Sequence, residues 1–299
     1  MKYIVLITLI IFFFGSCIKN NSNPIWIEVK EWELIDNPNQ NVLENYNPGV
    51  LTHGIKDVWL YIDNSLVGVF EVPFRVPVLE EGVKEIRMIP GIHNNGISTT
   101  KTRYPFFEPY VTNIDLIENQ TYIINPVTMY STSTKFWIEN FESSSNQFVD
   151  GNATLSSLIP SNDPSIIDPS INESYFGRIS LNNIDNMYIG SSDVFGISGT
   201  PIGLPKGTDC YLEIDYHNTA DITTGILALS STDGINNPLV TLNRQFESEV
   251  EWKKIYIELR EVVSGSTSAQ YFEFTLDALL PNGVNSGQIN IDNFKAVYF

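Results

Sequence analysis

The chain has 299 residues, of which 35 are acidic and 17 are lysine or arginine, which gives a net charge of −18. A surface with this excess of acids repels phosphate groups, so nucleic acid is excluded as a partner. The hydrophobic content of 42% and the aromatic content of 12% exclude wholesale disorder, and the length predicts two folded domains.

The N-terminus has the parts of a secretory signal: a positive start, an apolar run over Ile4–Phe14, and small residues before Cys17. The run is shorter than the roughly 20 residues that span a bilayer as a helix. Phe14–Cys17 resembles the lipobox of bacterial lipoproteins, in which the thiol receives a diacylglycerol and becomes the mature N-terminus. The resemblance implies a signal peptide over residues 1–16 and a lipidated tether over residues 17–23. An ordinary cleaved signal with an incidental cysteine is the alternative.

Lipidation would leave Cys210 without a partner for an intrachain disulfide, so stability must come from packing. Each buried methylene contributes about 0.8 kcal/mol, so several acyl chains would hold the protein on a membrane. We therefore expect a lipid-anchored protein of the cell envelope, at the outer membrane. The tether lacks the acidic run that resembles a surface-export signal, so the periplasmic and surface faces both stay open.

Residues 24–127 form the first predicted domain. Asp57–Gly68 has the pattern of a strand, a tight polar turn and a second strand, with Asp63 and Asn64 in the turn. A further strand, Val83–Ile89, follows. This order resembles the PEGA module, a small β-domain of exported and surface proteins. The resemblance implies an N-terminal β-sandwich with a spacer or interaction role and no catalytic residues.

Residues 128–134 are polar and lack a core pattern, so we expect a linker there, followed by a second domain over residues 135–299. In this second region apolar and polar residues alternate over Tyr211–Tyr216, Lys254–Leu259 and Tyr271–Leu276. The alternation predicts half-buried strands, and the intervening Gly, Asn, Asp, Ser and Pro clusters predict turns. The expected fold class is all-β, with little helix.

The two ends of this second region, Lys135–Glu142 and Gly287–Phe299, resemble the first and last strands of galactose-binding-like jelly rolls. That family includes many carbohydrate-binding modules, and the resemblance implies a C-terminal jelly roll whose first and last strands adjoin. It also implies one structural calcium held by Glu142 and Asp292, with Glu139 as a further candidate. Calcium needs six to eight oxygen ligands. The alternative is that these residues are ordinary acidic side chains exposed to water.

A sugar presents apolar C–H faces and hydroxyl groups, so a glycan site needs aromatic rings beside polar groups. We expect Tyr175, Tyr188 and Tyr216 to contribute to such a site. Tyr175 and Tyr188 lie near turns and are expected to be exposed, whereas the resemblance to galactose-binding-like jelly rolls implies that Trp252 packs inside.

No enzyme is expected, because His53, His93 and His217 stand singly and no HExxH, CxxC or Gly-x-Ser-x-Gly motif occurs. The lipobox together with these β-modules resembles exported lipoproteins of the Bacteroidota. The leading hypothesis is a membrane-anchored protein that binds a glycan through its C-terminal jelly roll. A structural lipoprotein contacting other envelope proteins is the alternative, and a hydrolase with an unrecognised carboxylate pair is the third.

Overall fold

The computed structural model describes residues 23–40, 46–143, 146–167, 174–193 and 203–299. Within these ranges the regular secondary structure is almost entirely strand, which confirms the all-β prediction. The lipobox and Cys17 lie outside the described residues. No helix among the described residues is long and apolar enough to cross a membrane.

The described residues of the N-terminal half form ten strands: β1 (Ile25–Val29), β2 (Glu33–Leu34), β3 (Asp57–Ile62), β4 (Ser65–Glu71), β5 (Phe74–Val78), β6 (Gly82–His93), β7 (Lys101–Arg103), β8 (Tyr110–Leu116), β9 (Thr121–Ile124) and β10 (Val127–Thr128). One sheet has the order β5-β1-β9, a second has β4-β3-β6-β7 with β8 on β6, and β2 pairs with β10. Alternation in β1 buries Ile25, Ile27 and Val29 against side chains of the second sheet, such as Leu60 and Met88. We call this body the N-terminal sandwich.

The predicted hairpin at residues 57–68 is confirmed. Ile62 pairs with Ser65, so Asp63 and Asn64 alone form the turn. Both have positive φ, 46° and 66°, which is the conformation that a two-residue hairpin turn requires and that Asp and Asn tolerate.

In the part of the C-terminal half that the structure describes there are eleven strands: β11 (Lys135–Glu139), β12 (Phe148–Asp150), β13 (Leu158–Ser161), β14 (Phe176–Asn182), β15 (Met187–Ser192), β16 (Cys210–Asn218), β17 (Ile222–Leu229), β18 (Gly234–Leu242), β19 (Lys253–Glu258), β20 (Tyr271–Leu279) and β21 (Ser286–Tyr298). A six-stranded sheet has the order β13-β14-β21-β16-β19, with β11 on β21, and faces a five-stranded sheet of order β12-β15-β20-β17-β18. One apolar core fills the space between them. We call this body the C-terminal sandwich.

Strands β11 and β21 pair antiparallel, with Lys135 opposite Tyr298, so the first and last strands of the C-terminal sandwich adjoin as expected. The single helix of the described residues, α1 (Arg260–Gly265), is six residues long, which confirms that helix is scarce.

The alternation in β19 predicted one buried face and one face exposed to solvent. In the structure the outer face of the six-stranded sheet is buried as well. Ile255 and Ile257 enter the C-terminal core as expected, but Tyr256 on the opposite face is only 1% exposed and joins the N-terminal core. The Tyr104 ring lies 4.9 Å from the Tyr256 ring and 5.2 Å from the Tyr211 ring. The two sandwiches therefore bury a shared face.

A charged network lies inside this shared face. The carboxylate of Glu213 accepts hydrogen bonds from the hydroxyl groups of Tyr104 (2.6 Å) and Tyr130 (2.9 Å). The ammonium group of Lys254 lies 3.1 Å from Glu213 and 3.3 Å from Asp215. Buried charges are tolerated only when they are paired and hydrogen-bonded, so this network favours one relative position of the two sandwiches.

The residues of the predicted linker follow β10, and part of the segment is buried. Tyr130 is fully buried and Thr134 nearly so. Among the described strands, each β-ladder lies within one half of the chain. An isolated β-bridge between Asn94 and Tyr256 connects the two halves. The domain limits of the sequence analysis stay a prediction.

Candidate functional site

A pocket of about 120 Å³ opens where the two sandwiches meet, and we call it the boundary pocket. The N-terminal half contributes Thr52 and His53, from the segment that precedes β3. The C-terminal half contributes the strands β16, β19 and β21, together with Trp252 just before β19. Sites between two packed bodies are common positions for small-molecule binding.

Three charged residues on neighbouring strands form the floor of the boundary pocket. In the sheet register Asp215 of β16 stands opposite Asp292 of β21 on one side and opposite Lys254 of β19 on the other. The register shifts between Glu213 and Asp215, and such bulges redirect side chains at functional sites. The sheet thus brings two carboxylates and one ammonium group to one end of the shared face.

Hydrogen bonds fix Asp215 in position. Its Oδ2 atom accepts a hydrogen bond from Thr52 Oγ1 at 2.5 Å, and its Oδ1 atom lies 3.3 Å from Lys254 Nζ. Lys254 also donates to Thr52 Oγ1 at 3.0 Å. Burial opposes the charge on Lys254, but Asp215 and Glu213 outweigh it and raise the lysine pKa above its ordinary value. Each of the three groups thus contacts the other two while bordering the pocket.

His53 borders the pocket as a neutral imidazole at pH 7. Burial lowers its pKa, and the positive charge of Lys254 lowers it further. The Nδ1 atom of His53 accepts a hydrogen bond from the Ile55 backbone amide at 3.4 Å, and a backbone hydrogen bond with Trp32 partly offsets the lowering of the pKa. These contacts hold the ring at the edge of the pocket.

Trp252 supplies the aromatic surface of the pocket. Its indole Nε1 donates to the Ile166 carbonyl oxygen at 2.6 Å. The Trp252 ring also lies 5.9 Å from the Phe176 ring and 5.7 Å from the His217 ring. Because these contacts hold the half-buried ring in one position, it lines the pocket as a fixed surface rather than as a mobile side chain.

Asp292 and Asn293 complete the pocket. Asp292 is nearly buried, and its Oδ1 atom accepts a hydrogen bond from the Asn293 backbone amide at 2.7 Å. Asn293 has a φ of 46°, a left-handed conformation that Asn tolerates better than most residues. The pocket therefore combines an aromatic ring with carboxylate, amide, imidazole and hydroxyl groups.

A larger cleft of about 400 Å³ continues from the pocket, and we call it the boundary cleft. The two share His53, Trp252, Lys253 and Lys254, and the cleft is bordered further by Tyr216. Together they offer room for a ligand longer than the pocket alone could accept.

The three tyrosines predicted as ligand contacts lie in different places. Tyr216 is half-buried and borders the boundary cleft. Tyr175 is 39% exposed and follows Ser174, and the backbone amides of both residues donate to Glu142.

Tyr188 is 0% exposed, so the expectation that it is exposed was wrong. Its position in β15 directs the ring along the strand over Gly190, where an added Cβ would come within 2.2 Å of the tyrosine hydroxyl. Burial raises the pKa of Tyr188, as it would for any phenol removed from water.

The predicted calcium ligands are engaged in other contacts. Glu139 accepts hydrogen bonds from the backbone amides of Phe141 (2.6 Å) and Gln147 (2.5 Å), and its burial raises its pKa. Glu142 accepts hydrogen bonds from the backbone amides of Ser174 and Tyr175, at 2.6 and 2.7 Å.

Asp292 borders the boundary pocket. Among the described residues, no set of three acidic, histidine or cysteine ligand atoms within 4.8 Å of one another includes Glu139, Glu142 or Asp292. Calcium stays a prediction.

Cys210 is a buried free thiol, and burial raises its pKa to about 12. A thiol with this pKa is protonated at neutral pH and is unreactive. Cys210 therefore belongs to the core and to no reactive site.

No protein-family model matches this sequence, and no curated protein matches it. Solved structures similar to the chain include a carbohydrate-binding module of the β-sandwich superfamily, with 11% identity, a TM-score of 0.39, and 92% of this chain and 98% of that chain covered.

Two further solved structures cover about half of this chain. The K1 cleaved adhesin domain of Lys-gingipain from Porphyromonas gingivalis W83 has 14% identity over 55% of this chain and 97% of its own, with a TM-score of 0.36. A family 27 module of Caldicellulosiruptor saccharolyticus in complex with mannohexaose has 12% identity over 54% and 96%, also with a TM-score of 0.36. All three TM-scores are below 0.5.

Proposed function

We propose that this chain is a membrane-anchored binding protein whose boundary pocket and boundary cleft bind a glycan. The observation that carries the proposal is the lining of the pocket. A fixed Trp252 ring lies beside the carboxylates of Asp215 and Asp292, the Thr52 hydroxyl and the neutral His53 imidazole.

The chemistry of these groups suits a sugar ring. The indole surface can cover the apolar C–H face of a pyranose, and carboxylate oxygens accept hydrogen bonds from hydroxyl groups. The boundary cleft extends beyond Trp252 and has room for further sugar units. The net charge of −18 favours a neutral or cationic glycan over a polyanionic one.

Binding is favoured over catalysis because Asp215 is already engaged. Thr52 contacts one of its oxygens and Lys254 contacts the other. A general acid or base must exchange a proton with the substrate, and a carboxylate held by an internal hydroxyl and an ammonium group is poorly suited to that exchange.

The proposal differs in one respect from the sequence hypothesis, which assigned the ligand to the C-terminal jelly roll alone. Thr52 and His53 belong to the N-terminal half and border the same pocket as Trp252. Both halves are therefore expected to contact the glycan.

We propose Cys17 as the lipidated residue that keeps the chain at the outer membrane. The anchor would concentrate the binding site at the envelope, where polysaccharides and glycoproteins occur. The support for this part is the sequence of residues 1–23.

Affinity electrophoresis of the full chain tests the proposal, in native gels containing neutral, cationic or acidic polysaccharides. We expect retardation by at least one neutral or cationic polysaccharide, and loss of that retardation in Trp252→Ala. Tyr175→Ala, which removes an exposed aromatic ring away from the pocket, is the matched control and should be retarded normally. Loss of binding in Tyr175→Ala but not in Trp252→Ala would contradict the proposal. Stable co-purification with envelope proteins and no retardation by any polysaccharide would instead support the structural lipoprotein.

A further inference from the structure

A second cluster of polar side chains lies in the N-terminal sandwich, apart from the boundary pocket. Asp57 of β3, Glu71 of β4 and His93 of β6 each place one oxygen or nitrogen atom within 4.8 Å of the other two. His93 also borders the boundary cleft, so one side of the cluster is accessible from it.

The strand register explains why these three residues meet. Asp57 stands opposite Glu71 on one side and opposite Gly91 on the other. His93 follows Gly91 by two residues, so the two positions share a face of the sheet. The Trp59 ring occupies the place of a side chain at Gly91, where an added Cβ would come within 2.1 Å of the ring and 2.9 Å of the Asp57 Cβ.

Two buried atoms of the cluster have no hydrogen-bond partner among the described residues. They are Asp57 Oδ2 and His93 Nε2, which face each other at 3.3 Å without hydrogen-bond geometry. Asp57 is 0% exposed, and its other oxygen contacts Lys101. Buried polar atoms are almost always paired, so an unpaired acceptor that faces a ring nitrogen suggests a missing partner.

We propose that Asp57, Glu71 and His93 bind one divalent transition-metal ion, with Zn²⁺ as the best match. Zinc binds imidazole nitrogen and carboxylate oxygen at about 2.0–2.2 Å in tetrahedral geometry, which places neighbouring ligand atoms roughly 3.3–3.6 Å apart. The distance of 3.3 Å between Asp57 Oδ2 and His93 Nε2 lies at the lower limit of this range. Three protein ligands leave a fourth position for water or for a group that enters from the boundary cleft.

Lys101 competes with the metal for the same negative charge. Its ammonium group contacts Asp57 and lies 3.8 Å from Glu71, and the side chain is 34% exposed. A partly exposed lysine can turn towards water when a divalent ion replaces it between the carboxylates. Removal of this ammonium group should therefore tighten metal binding, which a merely structural Asp–Lys pair does not predict.

Calorimetric titration of the chelator-treated, dialysed full chain with ZnCl₂ tests the proposal. We expect one zinc ion per chain, and an affinity at least about tenfold lower in His93→Gln, since loss of even a residue that only orients a metal ligand costs about that much. Glu71→Gln should also weaken binding, and Lys101→Met should strengthen it. His217→Gln, a histidine outside the cluster, is the matched control and should bind as the wild type does.

The outcomes separate a metal site from an ordinary Asp–His ion pair. Glu71 is largely exposed, so Glu71→Gln is expected to fold even if a variant at the buried Asp57 does not. Zinc should raise the melting temperature of the wild type but not of His93→Gln, because a ligand bound only by the folded state stabilises it. No zinc binding below millimolar concentration, or binding that Glu71→Gln and His93→Gln leave unchanged, would overturn the proposal. Neither result depends on whether the boundary pocket binds a glycan.

Discussion

Replacement of Lys254 by methionine would test whether the charged network holds the two sandwiches together. Methionine keeps much of the side-chain length but leaves Glu213 and Asp215 without their shared cation. The Lys254 side chain is 3% exposed and that of Glu213 is 0% exposed, so water cannot replace the lost partner. Removal of one member of a buried ion pair costs about 3–5 kcal/mol in the free energy of unfolding. The hydroxyl groups of Tyr104 and Tyr130 still bind Glu213, so we expect a loss near the lower limit.

The neighbouring residue provides a matched control. Lys253 is 44% exposed and lies 3.7 Å from Glu251, which is itself 71% exposed. Exposed ion pairs contribute about 0–1 kcal/mol, so Lys253→Met should change the stability little. Equilibrium unfolding in urea, followed by tryptophan fluorescence and by circular dichroism, measures both variants. Equal losses for Lys253→Met and Lys254→Met would refute the structural role assigned to the buried network.

The pH dependence of the same pair gives a second readout. The pKa of Lys254 is raised in the folded chain above its ordinary value of 10.5. A raised lysine pKa stabilises the folded state fully below the unfolded value, and this contribution is lost as the pH rises through the folded value. The stability difference between the wild type and Lys254→Met should therefore be constant from pH 6 to 9 and decrease above about pH 10.5.

Three further predictions concern the anchor, the calcium and the pocket histidine. Cys17→Ala should move the protein produced in its host from the detergent phase to the aqueous phase in phase partitioning, and an unchanged partition would exclude the lipid anchor. Calcium chloride should raise the melting temperature of the wild type but not of Asp292→Asn, and no shift in the wild type would remove calcium from the account. Since burial and Lys254 lower the pKa of His53 below its ordinary value of 6.5, glycan binding should be constant from pH 8 to 7 and weaken only in acidic solution, and His53→Gln should reduce that weakening.

The strands were predictable because their signals are local. Alternation identified the strands that contain Tyr211, Ile255 and Phe272, and Asp63-Asn64 identified the hairpin turn. Such patterns depend on residues two to five positions apart, and the side-chain period of a strand makes them readable from one sequence.

The boundary pocket was not predictable because its parts are distant in sequence. Thr52 and Lys254 are 202 residues apart and share a hydrogen bond. Alternation showed that Tyr256 faces away from the C-terminal core, but it could not show that a second sandwich covers that face. The resemblance to galactose-binding-like jelly rolls implied that Trp252 packs inside, whereas the ring is half-buried and lines the boundary pocket. An unusual number of charged residues within apolar strands, such as Glu213 and Lys254, was the one available signal of a covered polar face.

The affinity of the pocket tests the account most directly. The full chain, and the variants Trp252→Ala and Tyr175→Ala, would be titrated in a calorimeter with an oligosaccharide of the polysaccharide that retards the protein in gels. Loss of a large buried contact surface costs about 1.5–3 kcal/mol, so we predict at least about tenfold weaker binding for Trp252→Ala. Tyr175→Ala should bind as the wild type does. An unchanged affinity in a folded Trp252→Ala variant would contradict the claim that the boundary pocket binds the glycan.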